Sequence, residues 1–179
     1  MVNTRSSLNC FSSFGVSSHH NSRNARSISA QYNRQDMIRG RQVMTKIYHA
    51  QCPCGALRIE VRSDPVHNHI CTCNRCQRAS GSALAHNAWF PEAAVQVVSG
   101  HCALWYPNGE ETPGVMKAFC SRCGGGGFSR SGDYLPGTLF FPVGTFADPD
   151  FPIPDHAHWW GNHPKWLGVA EEIKRLPGN

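Results

Sequence analysis

The residues best suited to chemistry in this 179-residue chain are its cysteines, which number nine. Seven of them fall in three short groups: Cys52-Pro-Cys54, Cys71-Thr-Cys73-Asn-Arg-Cys76 and Cys120-Ser-Arg-Cys123. Cysteines two or three residues apart on a turn can direct their sulfurs at one ion about 2.3 Å away. An odd cysteine count without a convincing export signal argues against a disulfide framework. The grouping therefore predicts bound zinc.

Seven thiolates divide naturally between two zinc ions, since a closed site takes four ligands and a catalytic site keeps three and an open position. One short loop supplies the trio expected at the open, catalytic zinc: Cys71, Cys73 and Cys76. The remaining four are expected at a closed, structural zinc that ties distant segments together: Cys52, Cys54, Cys120 and Cys123. The alternative is a set of reduced core cysteines, which is the interpretation adopted for Cys102. Cys10 is expected to play no part.

Two arginines and two histidines lie near the open trio and are candidates for the chemistry there. Arg75 and Arg78 flank the trio and could hold a substrate carboxylate, although solvated surface arginines are the simpler interpretation. His67 and His69 could move protons or donate hydrogen bonds around the metal. A surface or packing role is the favoured interpretation for both histidines. Weaker candidates are His86 and Asn87.

Short stretches of alternating apolar and polar residues dominate the body of the chain and predict strands. Their alternating positions are Leu57, Ile59 and Val61; Val95 and Val97; Val115, Lys117 and Phe119; and Leu139, Phe141 and Val143. Turns are predicted at Pro65, Pro91, Gly100, and residues 107–109, 113–114 and 136–137. Helix is expected only after Cys73 and at residues 169–174. The sequence thus predicts a single, mainly β domain with little helix, cross-linked by two metal sites.

The net charge of +5 comes entirely from residues 1–43, which contain six arginines and one aspartate. This segment is predicted to be a disordered leader: a flexible tail, an upstream extension or an organelle-targeting presequence. Residues 44–179, the predicted domain, carry 11 basic and 11 acidic residues. A neutral body argues against nucleic-acid binding, and no apolar run is long enough for a membrane helix. We expect a cytoplasmic protein, with organelle import through the leader as the alternative.

Three motifs, in order, resemble the glutathione-dependent formaldehyde-activating enzyme (GFA) or CENP-V domain family. They are Cys52-Pro-Cys54-Gly55, Cys71-Thr-Cys73-Asn-Arg-Cys76-Gln-Arg78 and Phe119-Cys120-Ser-Arg-Cys123-Gly124. The resemblance runs from about residue 48 to residue 166. It implies a small Mss4-like β fold with two zinc ions per chain, partitioned among the cysteines as above. One departure is the run Gly125-Gly126-Gly127, which is expected to loosen a turn beside the closed site or to shape a different pocket.

The resemblance also implies an activity, that of a carbon–sulfur lyase. The family's named reaction joins glutathione to formaldehyde as S-hydroxymethylglutathione. The partners implied are therefore a small thiol such as glutathione and an electrophilic carbonyl. A metal-held substrate thiol that makes or breaks a bond to carbon suits an open three-thiolate zinc. The alternative is a non-catalytic, zinc-stabilised module that binds a protein partner, and the sequence leaves the oligomeric state open.

Overall fold

The computed structural model describes residues 46–106, 115–132 and 135–178. Within these ranges the strands are β1 (Tyr48–Gln51), β2 (Arg58–Val61), β3 (His67–Cys71), β4 (Ala85–Pro91), β5 (Val95–Ser99), β6 (Cys102–Trp105), β7 (Val115–Cys120), β8 (Phe128–Ser131), β9 (Thr138–Pro142), β10 (His156–His158) and β11 (Lys174–Arg175). Helix is confined to α1 (Asn74–Ser80) and three single 3-10 turns, Glu92–Ala94, Val143–Thr145 and Trp160–Asn162. The predicted leader, Cys10 and the turns at 107–109 and 113–114 lie outside the described residues.

The strands form two sheets. One is antiparallel and has the order β1-β2-β5, and the other has eight strands in the order β11-β10-β3-β4-β9-β8-β7-β6. The large sheet is antiparallel except at one end, where β10 pairs in parallel with both β3 and β11. The prediction of a mainly β fold with little helix is confirmed. Among the described residues, no helix has the length and apolar character needed to cross a bilayer.

The core lies between the two sheets and is rich in aromatic rings. Tyr48, on the small sheet, has its ring centroid 5.7 Å from that of Phe90 on β4. The Phe141 ring lies 5.8 Å from Phe90 and 5.6 Å from Phe128. These three phenylalanines are fully buried, and burial of each such side chain contributes roughly 2–3 kcal/mol of transfer free energy. Cys102 is also buried in this core, as predicted, but it is disulfide-bonded, which corrects its interpretation as a reduced cysteine.

Strand β7 shows where a period-two pattern identifies a strand but not its inner face. The sequence singled out Val115, Lys117 and Phe119 as the alternating set. In the structure Met116 and Ala118 are buried, while Lys117 is exposed and Phe119 only half-buried. Both alternating sets contain apolar residues, so the pairing of β7 with its neighbours decides which set faces the core.

The helix predicted at residues 169–174 does not form. Residues 171 and 172 lie in a turn, and the chain then enters β11, which pairs with β10. Ile173 is buried against Ile70 and Ala157. Six residues make too few helical hydrogen bonds to offset the cost of nucleating a helix, so strand pairing and burial of Ile173 prevail.

The glycine run at 125–127 is tightly packed, which corrects the expectation of a loosened turn. A Cβ atom on Gly127 would lie 2.1 Å from the carbonyl oxygen of Ala118. One on Gly126 would lie 2.8 Å from the Cα atom of Cys52. The φ angles of these two glycines are +93° and +67°, a region that other residues enter only with strain. The run therefore lets β8 and the first cysteine turn approach each other closely.

Gly127→Ala should destabilise the fold by about 3–5 kcal/mol, because the new methyl group adds a backbone clash to the left-handed strain. Gly137→Ala is the matched control, since Gly137 has a φ of +72° and no atom near its Cβ position. The control should cost about 1–2 kcal/mol. Urea unfolding of the two variants at constant zinc measures the difference. Equal losses would show that strain alone, and not close approach, explains Gly127.

Candidate metal centres

The first thiol group joins the two sheets. Cys52 and Cys54 follow β1, and Cys120 and Cys123 lie at the end of β7. All four sulfurs lie within 4.8 Å of one another, with Cys52 Sγ 3.4 Å from Cys54 Sγ and Cys54 Sγ 3.9 Å from Cys120 Sγ. A tetrahedral ion with bonds of about 2.3 Å places its sulfurs about 3.8 Å apart. The spacing suits a zinc-sized ion.

Two similar turns shape this group. The amide of Cys52 donates to the Leu57 carbonyl at 3.1 Å, and the amide of Cys120 donates to the Gly125 carbonyl, also at 3.1 Å. The amide of Leu57 in turn donates to Cys52 Sγ at 3.2 Å. Gly55 and Gly124 have φ angles of +73° and +74°, the left-handed conformation that glycine adopts without strain.

The second thiol group comes from one loop between β3 and α1. The sulfurs of Cys71, Cys73 and Cys76 lie within 4.8 Å of one another. Cys73 caps α1, with its sulfur accepting a hydrogen bond from the Cys76 amide at 3.4 Å. The helix ends at Gly81, in the left-handed conformation. The short helix predicted after Cys73 is therefore present, and it directs the third thiol toward the first two.

The loop that carries the trio is anchored to the C-terminal part of the chain. The amide of Thr72 donates to the His158 carbonyl at 3.1 Å, and the Thr72 hydroxyl donates to the Trp159 carbonyl. Gln77 Nε2 donates to the Thr72 carbonyl at 2.7 Å and to the Asn162 carbonyl at 3.1 Å. These contacts fix the loop to a segment more than 80 residues away in sequence.

The thiols of the first group influence one another's ionisation. Burial acts to raise the pKa of Cys52, but the Leu57 amide and the neighbouring thiols outweigh it and lower the pKa to about 6. The Ala56 amide acts to lower the pKa of Cys54, but the thiols of Cys123 and Cys52 raise it to about 11. Each thiolate makes the next one harder to form, so full ionisation of the group requires a cation.

The thiols of the trio also influence one another's ionisation. Burial raises the pKa of Cys71. Burial, followed by the adjoining sulfurs of Cys71 and Cys73, raises the pKa of Cys76. The pKa of Cys73 is lowered instead, because hydrogen bonds from the Cys76 amide and the two other thiols outweigh its burial. Cys71 is buried, whereas Cys73 and Cys76 are partly open to solvent, so the trio faces solvent on the α1 side.

Arg75 and Arg78, the predicted substrate contacts, lie on α1 and are both exposed. No residue of α1 is buried. Among the described residues, no carboxylate lies within ion-pair distance of either guanidinium group. The two arginines are thus exposed cations on the helix that also carries Cys76, and their contact with a substrate stays a prediction.

The histidines predicted near the trio do not join it and form a cluster of their own. His69 is buried and His67 is half-buried, and their ring centroids lie 4.6 Å apart. His156 and His158 from β10 complete the cluster, with ring centroids 4.3 Å apart. Burial, followed by the charges of the neighbouring histidines, lowers the pKa of His69 to about 3.

Sequence reasoning treated His158 only as part of the tail and overlooked His156. A signal was available: His156-Ala-His158 repeats the spacing of His67-Asn-His69. A period of two places both members of each pair on one face of a strand. That the two strands are neighbours could not be read from the pattern.

His86 and Asn87, the weaker candidates, lie on β4 and are both half-buried. His86 Nε2 lies 2.8 Å from the side-chain oxygen of Asn68, and because that oxygen can only accept, the ring nitrogen donates. Burial lowers the pKa of His86 to about 4. Its role in the structure is a hydrogen bond within the sheet.

A cleft of about 750 Å³ lies beside the first thiol group. Cys52, Gly126 and Phe146 are among the residues that line it. Neither the cysteine trio nor the histidine cluster contributes to its lining. The cleft therefore does not mark the point at which a substrate would meet the trio.

Comparison with known proteins gives one family. The sequence profile of the glutathione-dependent formaldehyde-activating enzymes (GFA) matches residues 47–162. A Talaromyces marneffei protein is 29% identical over 85 residues, which cover 48% of this chain and 44% of the relative. A Penicillium rubens protein is 33% identical over 76 residues, which cover 41% and 39%. Both are named "Putative glutathione-dependent formaldehyde-activating enzyme". The chain spans less than half the length of these curated relatives.

The lowered pKa of His86 predicts a loss of stability in acid. The unfolded side chain titrates near 6.5 and the folded one near 4, so below pH 6.5 the unfolded state binds more protons. The stabilisation is complete above pH 6.5 and is lost as the pH falls toward 4. After allowance for the part of the ring that solvent reaches, this loss is roughly 1–2 kcal/mol.

His86→Gln should remove that part of the acid loss, because glutamine keeps a donor for Asn68 and does not titrate. The exposed His101 provides the control, His101→Gln. Chemical denaturation at several pH values between 4 and 7 measures the effect. Parallel stability curves for wild type and His86→Gln would contradict the assignment.

Proposed function

This chain belongs to the glutathione-dependent formaldehyde-activating enzyme family, and on that premise we propose that it is a zinc-dependent carbon–sulfur lyase. Its substrate would be a small thiol adduct of the S-hydroxymethylglutathione type. The thiols of each chain would bind two zinc ions. One would be held by Cys52, Cys54, Cys120 and Cys123, and the other by Cys71, Cys73 and Cys76.

One observation carries the proposal: the second thiol group has three members. Among the described residues, no further histidine, cysteine, aspartate or glutamate joins Cys71, Cys73 and Cys76 within 4.8 Å. A structural zinc site normally has four protein ligands, and a site with three keeps a position for an exchangeable one. The nearby histidines, which could have closed the site, group with one another instead.

The chemistry follows from the donor set. Zinc in this site would coordinate a substrate thiol and favour its thiolate form. In the synthetic direction a bond forms between the thiol sulfur and the carbonyl carbon, and the thiol proton ends on the former carbonyl oxygen. The reverse breaks that carbon–sulfur bond and returns the proton to sulfur. The partly open side of Cys73 and Cys76 is where a substrate thiol has access to the trio.

The protein's contribution would be to hold the three thiols and to position the rest of the substrate. The Cys76 amide hydrogen bond fixes the sulfur of Cys73, and the contacts of Thr72 fix the loop. Arg75 and Arg78 would attract the carboxylates of a thiol such as glutathione, since both are exposed cations on the helix that carries Cys76. The first thiol group would play a structural part by joining β1 to β7.

Zinc content and activity of two matched variants test the partition. Cys76→Ser should lose one zinc and lower the activity by roughly 100-fold or more, because a metal ligand is lost, while the protein stays folded. Cys123→Ser should weaken the other zinc and lower the melting temperature, since metal binding there contributes to folding. Metal analysis, circular dichroism and a thiol–formaldehyde exchange assay provide the readouts.

The wild-type protein should release one zinc to a mild chelator more readily than the other. A single tightly held zinc, even after zinc is resupplied, would overturn the open site. Two zincs without activity on any thiol–aldehyde pair would favour a zinc-stabilised protein-binding module instead.

The arginine contacts have a test of their own. Arg75→Gln and Arg78→Gln should each raise KM for glutathione by up to about tenfold, the equivalent of one charge-assisted hydrogen bond. Neither should change KM for an uncharged thiol such as 2-mercaptoethanol. Arg122→Gln is the matched control, because Arg122 occupies the same place in Cys120-Ser-Arg-Cys123 as Arg75 does in its motif. Equal effects on the charged and uncharged thiols would exclude carboxylate recognition.

A further inference from the structure

The histidine cluster lies on the outer part of the large sheet, where β3 pairs in parallel with β10. His69 is the register partner of His156, and Cys71 is the register partner of His158. Alternate residues of a strand share a face, and register partners in neighbouring strands share it too. The four imidazoles are therefore brought together by strand pairing.

Three of these rings converge with metal-ligand spacing. The ligand nitrogens of His67, His69 and His158 lie within 4.8 Å of one another. The ring centroids of His69 and His158 are 5.1 Å apart, and those of His67 and His158 are 6.2 Å apart. A tetrahedral ion with metal–nitrogen bonds of about 2.05 Å needs nitrogens about 3.4 Å apart. The rings would reach that spacing by each moving less than about 1 Å.

The same three residues carry buried nitrogens that have no hydrogen-bond partner. They are Nε2 of His67, Nδ1 of His69 and Nε2 of His158. Leaving a buried polar atom unsatisfied costs about 1–3 kcal/mol, so unsatisfied atoms are normally few and scattered. Three of them on converging rings point to a ligand that accepts lone pairs from all three.

The orientation of His158 supports the same conclusion. Its Nδ1 lies 3.1 Å from the carbonyl oxygen of Gly178, and because a carbonyl can only accept, Nδ1 is the donor. In the neutral ring the lone pair is then on Nε2, the unsatisfied atom. A backbone carbonyl that fixes the tautomer through the other ring nitrogen is the usual arrangement around a metal-bound histidine.

We propose that His67, His69 and His158 form a third metal site, separate from both thiol groups, that binds a divalent transition ion such as Zn²⁺, Co²⁺ or Ni²⁺. The donors are all imidazole nitrogens, which suit these ions, whereas Mg²⁺ and Ca²⁺ take oxygen ligands. His156 adjoins the site, with its ring centroid 5.1 Å from that of His67. This proposal does not rest on the proposed function.

The position of the site relates it to the cysteine trio. His69 and Cys71 are two residues apart on the same face of β3, a distance of about 6.6 Å along the strand. His158 lies beside Cys71 in the neighbouring strand. A metal ion held by the histidines would therefore cross-link the two strands directly beneath the loop that carries the trio.

Cobalt titration separates the two kinds of site. Thiolate-bound Co²⁺ has an intense sulfur-to-metal charge-transfer band, and imidazole-bound Co²⁺ lacks that band. Metal-depleted full-length protein should take up Co²⁺ at the thiols with this band. It should also bind one further equivalent of Co²⁺ per chain that adds nothing to this band, as measured by metal analysis after gel filtration. If the thiols did not bind Co²⁺, the band would be absent while the further equivalent still bound. The two proposals can therefore fail separately.

The double variant His67→Gln/His69→Gln should bind the further equivalent of Co²⁺ more weakly, by about 100-fold or more. It should leave the charge-transfer band unchanged. His49→Gln/His101→Gln, which alters two exposed histidines, should bind as wild type does. A further equivalent that persists in the first variant would overturn the proposal, as would its absence in the wild type.

A second measurement covers the case in which the first variant does not fold. In wild-type protein, imidazole nitrogen NMR signals should shift on Zn²⁺ addition for His67, His69 and His158 and not for His49 or His101. Unchanged signals from the three cluster histidines would likewise overturn the proposal.

Discussion

The four thiols of Cys52, Cys54, Cys120 and Cys123 impose the constraint on which the rest of the structure depends. They belong to different sheets and lie within 4.8 Å of one another, where ionised sulfurs repel one another unless a cation is present. Cys54 and Cys120 are 66 residues apart in sequence, so a shared ion would restrict the unfolded chain considerably. The same grouping of the four thiols requires Gly126 to lie close to Cys52.

The opposite end of the large sheet is organised around the parallel pair of β3 and β10. One strand pairing places the open cysteine trio, the four histidines and the anchoring contacts of Thr72 in one region. The aromatic core between the sheets holds β4 and β9 in place, and β3 is aligned on β4. The region of candidate chemistry thus lies beside a rigid sheet and not on an isolated loop, which favours the positioning of metal ligands.

Some parts of this arrangement follow from local sequence and others do not. The spacing of the cysteines predicted three local groups, because residues two or three apart on a turn must lie close together. The ligand count of a closed zinc site predicted that the first and third groups meet. The alternation in Leu57, Ile59 and Val61 predicted β2 for the same local reason. In β7 both alternating sets contain apolar residues, so the inner face could not be chosen. At residues 169–174 a weak local preference was overridden by pairing with β10. Gly126 and Gly127 were interpreted as flexible because their neighbours in space are far away in sequence.

The sequence by itself determined the mainly β class, the short helix after Cys73, the family resemblance and the partition of seven cysteines into four and three. These depend on spacings of a few residues, which the covalent chain fixes, and, for the union of the first and third cysteine groups, on the four ligands that a closed zinc site requires. Only the tertiary structure decided that His67 and His69 meet His158, that they group apart from the trio, and that the glycine run is tightly packed. The reason is that each of these contacts joins segments distant in sequence, and their meeting is set by strand order and register, which local patterns do not encode.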